Sequence, residues 1–486
     1  MLRKHLIVFI ILLLQSSGLF ALPVVINGTS AAGNAYVFRL YVLQDPISGE
    51  ESIVDQQRPD EQGHFMLGFE VKKIQKVSIK VGLQSMSFFV IPGKTYQLNF
   101  NEITLKDQNV FLPEHPLKVI FQDDDMLNAV IDGFEYDYQV FLEGNFIQVM
   151  KYRDRKLFNE FQDKIYQKLS ESPLQDSMSK DFVKTYIRYR LAEVKMATKI
   201  EKKQSLGLEY LAHQPILLNN PAYAGFFKKY FMNYLLNLGS TEDYDHIQNL
   251  INDGAFSFSK LKDVLGKDPV LVEERFRELV LLYSLKQSFY KKNFIKESVN
   301  QMIDHVHQHS KFEENRKVAA NLLLVLNRFL KGNSLPDFQL MNLSGVKKSL
   351  SDYKGKKTYL MFVTPTCETC EADIRILKNI MADYKDDLNI VTIYAGFNKE
   401  HAAIWAKKLK VNWDFLWFND DFNLLNQYLV KTFPKYLMLD EDGKLLYYFP
   451  PQPRENLLSY LKAVKEHETA ADKSNKDASN ELFHRK

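Results

Sequence analysis

Cysteine is almost absent from this chain: 486 residues contain two, Cys367 and Cys370. That excludes a scaffold stapled by several disulfides, and equally a zinc site built from four thiolates. Charge of one sign is missing as well. Lys and Arg number 63 against 60 Asp and Glu, a formal +3, so no strong field draws the chain toward nucleic acid. Long apolar runs are lacking too. The run Leu6–Leu14 holds nine residues and falls short of the roughly 20 that cross a bilayer. No repeat of fixed period is present.

What is there suits a soluble globular protein of several parts. Hydrophobic residues make up 45% and charged residues 25%, which argues against bulk disorder. The 35 Phe and 25 Tyr supply apolar bulk for separate cores. At roughly 150 residues per domain the length corresponds to about three domains.

The first residues have the layout of an export signal, 1–21: a positive head at Arg3 and Lys4, the apolar run, then Gln15-Ser16-Ser17-Gly18 and a cleavage point after Gly18 or Ala21. An uncleaved anchor is the competing reading. No cysteine lies near the cleavage point, so the chain is not expected to be a lipoprotein. The expected location is the periplasm or cell envelope.

Three textures follow. Residues 23–115 carry short β-rich runs, among them Tyr36–Val42, Val77–Val81 and Tyr96–Phe100, separated by Asn, Gly, Pro and Asp. This predicts an N-terminal antiparallel β-sandwich. Residues 124–330 switch to helical spacing, as in Phe134, Tyr138, Phe141 and Leu142 or Phe276, Leu279, Val280 and Tyr283, with Pro173, Pro215, Pro221 and Pro269 as breaks. This predicts a central all-α region whose aromatic stripes are packing faces. Residues 333–465 alternate strand and helix, the pattern of a layered α/β domain. The polar end, 466–486, reads as a disordered tail.

One motif carries chemistry. Phe362-Val363-Thr364-Pro365-Thr366-Cys367-Glu368-Thr369-Cys370 ends an apolar strand and opens a helix. Cys367 then stands at the helix N-terminus, with Cys370 one turn in on the same face. Unpaired N–H groups and the positive end of the dipole stabilise a thiolate, the nucleophile of thiol–disulfide exchange. A second sulfur three residues on can attack the mixed disulfide and release the product. A zinc site and a purely structural disulfide are the competing readings. The first lacks two ligands, and the second closes too short a loop to remove much chain entropy.

With this motif in view, residues 333–465 resemble the thioredoxin-fold domain of the TlpA/ResA-type periplasmic thiol-disulfide oxidoreductases. Leu335-Pro336-Asp337-Phe338, Leu350-Ser351-Asp352-Tyr353, the Cys-Glu-Thr-Cys motif and Thr432-Phe433-Pro434-Lys435 to Gly443 match that family's segments in order. The resemblance implies an α/β thioredoxin-like fold at the C-terminal end of a multidomain chain, with Cys367 as the attacking thiolate and Cys370 as the resolving one. It implies a cis Pro434 facing them, and a Phe433 whose backbone pairs with an extended substrate segment. Asp373 occupies the place of an acid near the sulfurs. No metal and no cofactor is implied. The partners implied are disulfide-containing envelope proteins and, as electron donor, a membrane thiol reductant; a homo-oligomer is a further expectation.

The chain also departs from the family. Thr366 stands where a Trp usually precedes or neighbours the first cysteine, which alters packing of substrate over the sulfurs. The buried acid that thioredoxins carry on the preceding strand has no counterpart in Thr358–Val363, leaving Asp373 or water to move the proton. Glu368 sets a carboxylate beside Cys367 and opposes its ionisation, which points to a reducing or intermediate enzyme. Two other functions stay open. One is a non-enzymatic envelope scaffold with a vestigial thioredoxin-like domain. The other is a peroxiredoxin-like peroxidase built on Thr364-Pro365-Thr366-Cys367, although Leu360 stands where that site carries proline.

Overall fold

The computed structural model describes residues 21–466, apart from 35, 83, 103–114, 122–124, 238–240, 397–398 and 420. The expected export signal lies almost entirely outside the described residues, as does the tail from 467. Among the described residues, no helix is long and apolar enough to cross a membrane.

The front of the chain builds two sheets. One has four strands in the order His64–Val71, Leu22–Ser30, Thr95–Glu102, Lys118–Phe121, and so reaches past residue 115. The other has five, Glu51–Gln57, Phe38–Leu43, Gln75–Val81, Gln84–Val90 and His115–Pro116. Burial alternates along Leu22–Ser30, the period-two signature of a strand with one face inward. Both sheets feed one core, where Val24, Ile26 and Phe65 from the first meet Phe38, Leu40 and Ile79 from the second. The Phe38 and Phe65 rings stack at 4.1 Å across the gap.

The purely antiparallel expectation is corrected here. Leu22–Ser30 pairs parallel with Thr95–Glu102, and Gln84–Val90 pairs parallel with His115–Pro116. Tight turns force antiparallel neighbours, but pairing between strands far apart in sequence is set by the core, which no turn residue announces. Glu51–Gln57 was not expected as a strand. It is an edge strand with no buried residue, so its sequence carries no alternation to read.

Between Met126 and Asn327 the chain forms ten described α-helices around two apolar clusters. Phe134, Tyr138, Phe141, Phe276, Leu279 and Val280 are buried there. Leu142 and Tyr283 pack half-buried at the cluster margins. Pro221 ends the break after the helix Lys203–Tyr210 by starting the next one, at the first position of Pro221–Tyr230, with the Asn220 side chain accepting from the N–H groups of Ala222 and Tyr223.

A loop of the front domain locks into the helices. Ile47 is wholly buried in the helical core, while Lys286 Nζ donates to the carbonyls of Ile47 and Ser48, both at 2.8 Å. Asn321 donates to Asp45, and Arg328 Nη2 donates to both oxygens of Glu50 at 2.8 Å.

The C-terminal part is one seven-stranded sheet in the order Lys347–Ser349, Gln339–Asn342, Asp414–Trp417, Leu388–Tyr394, Lys357–Val363, Lys435–Leu439, Leu445–Tyr447. Three central strands run parallel and the outer ones antiparallel. From Thr358 to Val363 every residue is buried, the reading of a strand covered on both faces. Two contacts tie this domain to the front sheets: Arg39 pairs with Asp421 at 3.3 Å and Tyr41 Oη donates to Asn423 at 3.0 Å.

Candidate dithiol site

The site grows out of the central strand. Lys357–Val363 ends, three residues turn, and the helix Glu368–Tyr384 begins with Cys367 as its N-cap. The cap is made by sulfur: the Cys370 backbone N–H donates to Cys367 Sγ at 3.0 Å. Sulfur thus takes the place of the oxygen that usually caps a helix, at the point where orphan N–H groups and the dipole favour negative charge.

Cys367 and Cys370 are joined as a disulfide. Cys367 keeps 5% of its surface exposed and Cys370 none, so a group arriving from solvent meets Cys367 first. Glu368 and Thr366 flank Cys367 and are both exposed. Glu371, also in the first turn, is held below the usual carboxylate range by hydrogen bonds from Arg375 and Lys408.

Sheet register brings the proline loop to the same edge. Phe362 pairs with Lys435 across antiparallel strands, so the chain leaving Val363 and the chain arriving from Pro434 emerge side by side. The Phe433–Pro434 peptide bond is cis. Phe433 is buried and Pro434 half-buried.

Asp373 lies one further turn along the helix from Cys370 and is wholly buried. The Tyr436 hydroxyl donates to its Oδ2, and Arg454 Nε stands 2.7 Å from its Oδ1. The Arg454 N–H is poorly aligned with that oxygen, so the contact is an ion pair and not a hydrogen bond. Burial pushes the Asp373 carboxyl up from its ordinary range, and Tyr436 and Arg454 pull against that rise. The strand before the motif offers Tyr359 in place of an acid. Its ring lies 5.7 Å from that of Tyr436, and its hydroxyl donates to the Pro451 carbonyl at 2.9 Å.

Tyr359, Tyr436, Arg454 and Lys435 went unread in the sequence. Tyr436 sits two residues past Pro434, on a strand where alternation could have placed it on the Asp373 face. Arg454 carried no signal, since it stands in a turn at 453–456, ahead of the last helix, which begins at 457. Lys435 is buried, its ammonium 3.5 Å from the Tyr448 ring centre and 4.0 Å from that of Phe449. Burial lowers its pKa to about 8.

Comparison with known proteins places this domain. The Redoxin family pattern matches residues 330–465. The thioredoxin-like protein YneN of Bacillus subtilis is 31% identical over 114 residues, covering 23% of this chain and 67% of that protein. The thiol-disulfide oxidoreductase ResA of Geobacillus thermodenitrificans is 25% identical over 150 residues, 30% of this chain and 86% of its own. Among solved structures, the exposed lipoprotein thioredoxin Etrx1 of Streptococcus pneumoniae is 29% identical, covering 27% of this chain and 99% of its own at a TM-score of 0.24. A thiol-disulfide oxidoreductase of Bacteroides fragilis is 24% identical with the same coverage, 27% and 99%, at a TM-score of 0.25.

Proposed function

Through its C-terminal domain the chain belongs to the TlpA/ResA-type thioredoxin-like thiol-disulfide oxidoreductases, and we propose that it reduces or isomerises disulfides of envelope proteins through Cys367 and Cys370. The single observation that carries this reading is the sulfur cap, with Cys367 Sγ receiving the Cys370 N–H at the mouth of the helix.

In the reducing direction the Cys367 thiolate attacks one sulfur of a substrate disulfide. The substrate S–S bond breaks, its second sulfur leaves and takes up a proton, and a mixed disulfide forms. Cys370 then gives its proton to Asp373 and attacks Cys367 Sγ. The mixed bond breaks, the Cys367–Cys370 bond forms, and two electrons have passed to the substrate. An external dithiol, the membrane thiol reductant, restores the reduced pair. The Phe433 backbone, beside the cysteine loop, offers pairing to an extended substrate segment. Thr366 presents a small polar surface over the sulfurs in place of a ring. Glu368 weakens the thiolate and favours the reducing direction.

Export to the periplasm or cell envelope is part of the same proposal, supported by the layout of residues 1–21. The test is trapping in the native compartment. Cys370→Ser is expected to accumulate covalent mixed disulfides through Cys367, and Cys367→Ser to lose insulin disulfide reduction. Absence of any covalent partner with an alkylatable Cys367 would instead favour a binding scaffold.

A further inference from the structure

Asp373 is buried among groups drawn from every element around it. Tyr436 reaches it from the strand after the cis proline, and Arg454 from the segment before the last helix. Tyr359, from the central strand, and Glu455, beside Arg454, add negative or polar pressure without touching it. Cys370 sits one turn back on its own helix. Of the groups in contact with Asp373, Arg454 is the half-exposed one, with 42% of its side chain in solvent against none for Asp373; Glu455 is exposed as well.

The segment that presents Arg454 is held down twice. Tyr359 Oη donates to the Pro451 carbonyl at 2.9 Å, and Lys435 Nζ donates to the Tyr448 carbonyl at 3.2 Å while lying over the Tyr448 and Phe449 rings. It reads Pro450-Pro451-Gln452-Pro453, so three of its four residues lack the N–H needed to join a sheet and have φ fixed. Pro450 and Pro453 are buried. The result is a stiff strap, anchored to the two strands that flank the cysteine loop, carrying one cation to one buried carboxylate.

We infer that Tyr436 and Arg454 are positioning residues of the dithiol reaction, which hold the Asp373 carboxylate ionised and oriented so that it can accept the Cys370 proton in the resolving step. The inference rests on the exchange reaction proposed above and adds the two groups that make Asp373 competent. The chemistry demands such groups. A wholly buried carboxyl without partners stays protonated and cannot take a proton. A cation and a hydroxyl donor both favour the charged form, and each opposes the effect of burial. Only Cys370, the buried sulfur, needs this help, because Cys367 has the helix terminus.

The full-length reduced chain reacting with an aryl disulfide, bis(nitrobenzoate) disulfide, separates the two steps by colour. The first release of thionitrobenzoate reports attack by Cys367, and the second reports resolution by Cys370. In the parent chain the rate of the second release rises with pH as Asp373 ionises. Arg454→Gln and Tyr436→Phe should each move the midpoint of that rise upward by about one pH unit, the usual scale for losing a nearby opposite charge or a hydrogen bond to the charged form. The first release should stay unchanged, which also reports an intact fold. Arg454→Lys should restore most of the shift. An unmoved midpoint in both variants, alongside loss of the rise in Asp373→Asn, overturns the inference and leaves the exchange reaction standing. A rise that survives in Asp373→Asn removes Asp373, and the inference with it. Absence of both releases in the parent chain removes the exchange reaction itself.

Discussion

The backbone N–H of Cys370 donates to Cys367 Sγ at 3.0 Å, so one member of the cysteine pair caps the helix that carries the other. The two sulfurs therefore have unequal environments from a single local geometry. Cys367 collects the N-terminal field and the little solvent exposure there is, while Cys370 is sealed. Attack and resolution are divided between them on that basis, and the buried carboxylate one turn beyond Cys370 serves only the second.

Alkylation of the reduced chain should show the first half of this division. The rate at Cys367 is expected to titrate below the ordinary thiol range of about 8.5. Glu368 lies in the first turn and opposes that drop, so Glu368→Gln should lower the midpoint further by a few tenths of a pH unit. The reduction potential should become more oxidising in the same variant. An ordinary midpoint that ignores Glu368→Gln would remove the cap as the source of reactivity.

Asp373 makes a stability prediction with a defined sign. Its folded carboxyl is raised above the ordinary 3.8 by burial, so the fold disfavours the charged form. The chain is at its best, as far as this group is concerned, below 3.8, and loses stability as pH climbs from there to the raised folded value. Above that the loss is constant. Urea unfolding of the parent chain and Asp373→Asn should show the parent losing ground relative to the variant across that acid window. A constant difference over the whole range would mean that Asp373 titrates alike in the folded and unfolded chains.

How much of this was legible depends on where each signal resides. The cysteine motif, the proline loop and the strand before them are local, and their residue types state their chemistry, so family and fold could be read from four short segments. The parallel pairs of the front sheets and the edge strand Glu51–Gln57 could not, because register between distant strands is decided by packing. Asp373 was visible as a helix residue three places from Cys370, but not its burial. Its partners are 63 and 81 residues further along the chain, at Tyr436 and Arg454, and no periodicity links such positions.

Lys435 sits immediately after the cis proline, buried beneath Tyr448, with its pKa lowered to about 8 against an ordinary 10.5. A lowered base penalises the folded chain most where the amine is charged in both states, below about 8, and the penalty fades as pH rises toward 10.5. Relative to Lys435→Met, the parent should therefore gain stability between pH 8 and 10.5. Thermal melts across that interval measure it. If the parent instead loses stability relative to the variant over that interval, the contacts of the charged amine with the Tyr448 and Phe449 rings outweigh burial.

The front domains bear on catalysis only if they hold the thioredoxin-like domain toward a macromolecular substrate, and the Arg328–Glu50 ion pair offers a way to ask. Arg328 closes the helical region just before the connector at 330–336, and both Glu50 oxygens accept from it at 2.8 Å with each side chain mostly buried. Both contacts come from one nitrogen, Arg328 Nη2, and a charge-assisted pair this far out of solvent is worth more than a surface ion pair. Glu50→Ala, Arg328→Ala and the double variant form a cycle whose coupling should come to about 1–2 kcal/mol in unfolding experiments. Far from the cysteines, none of these changes should alter reaction with the small aryl disulfide. Insulin reduction should fall several-fold in the single variants and no further in the double one, because the ion pair fails as a unit. Equal rates on insulin across all four proteins would show that the C-terminal domain works without orientation by the rest of the chain.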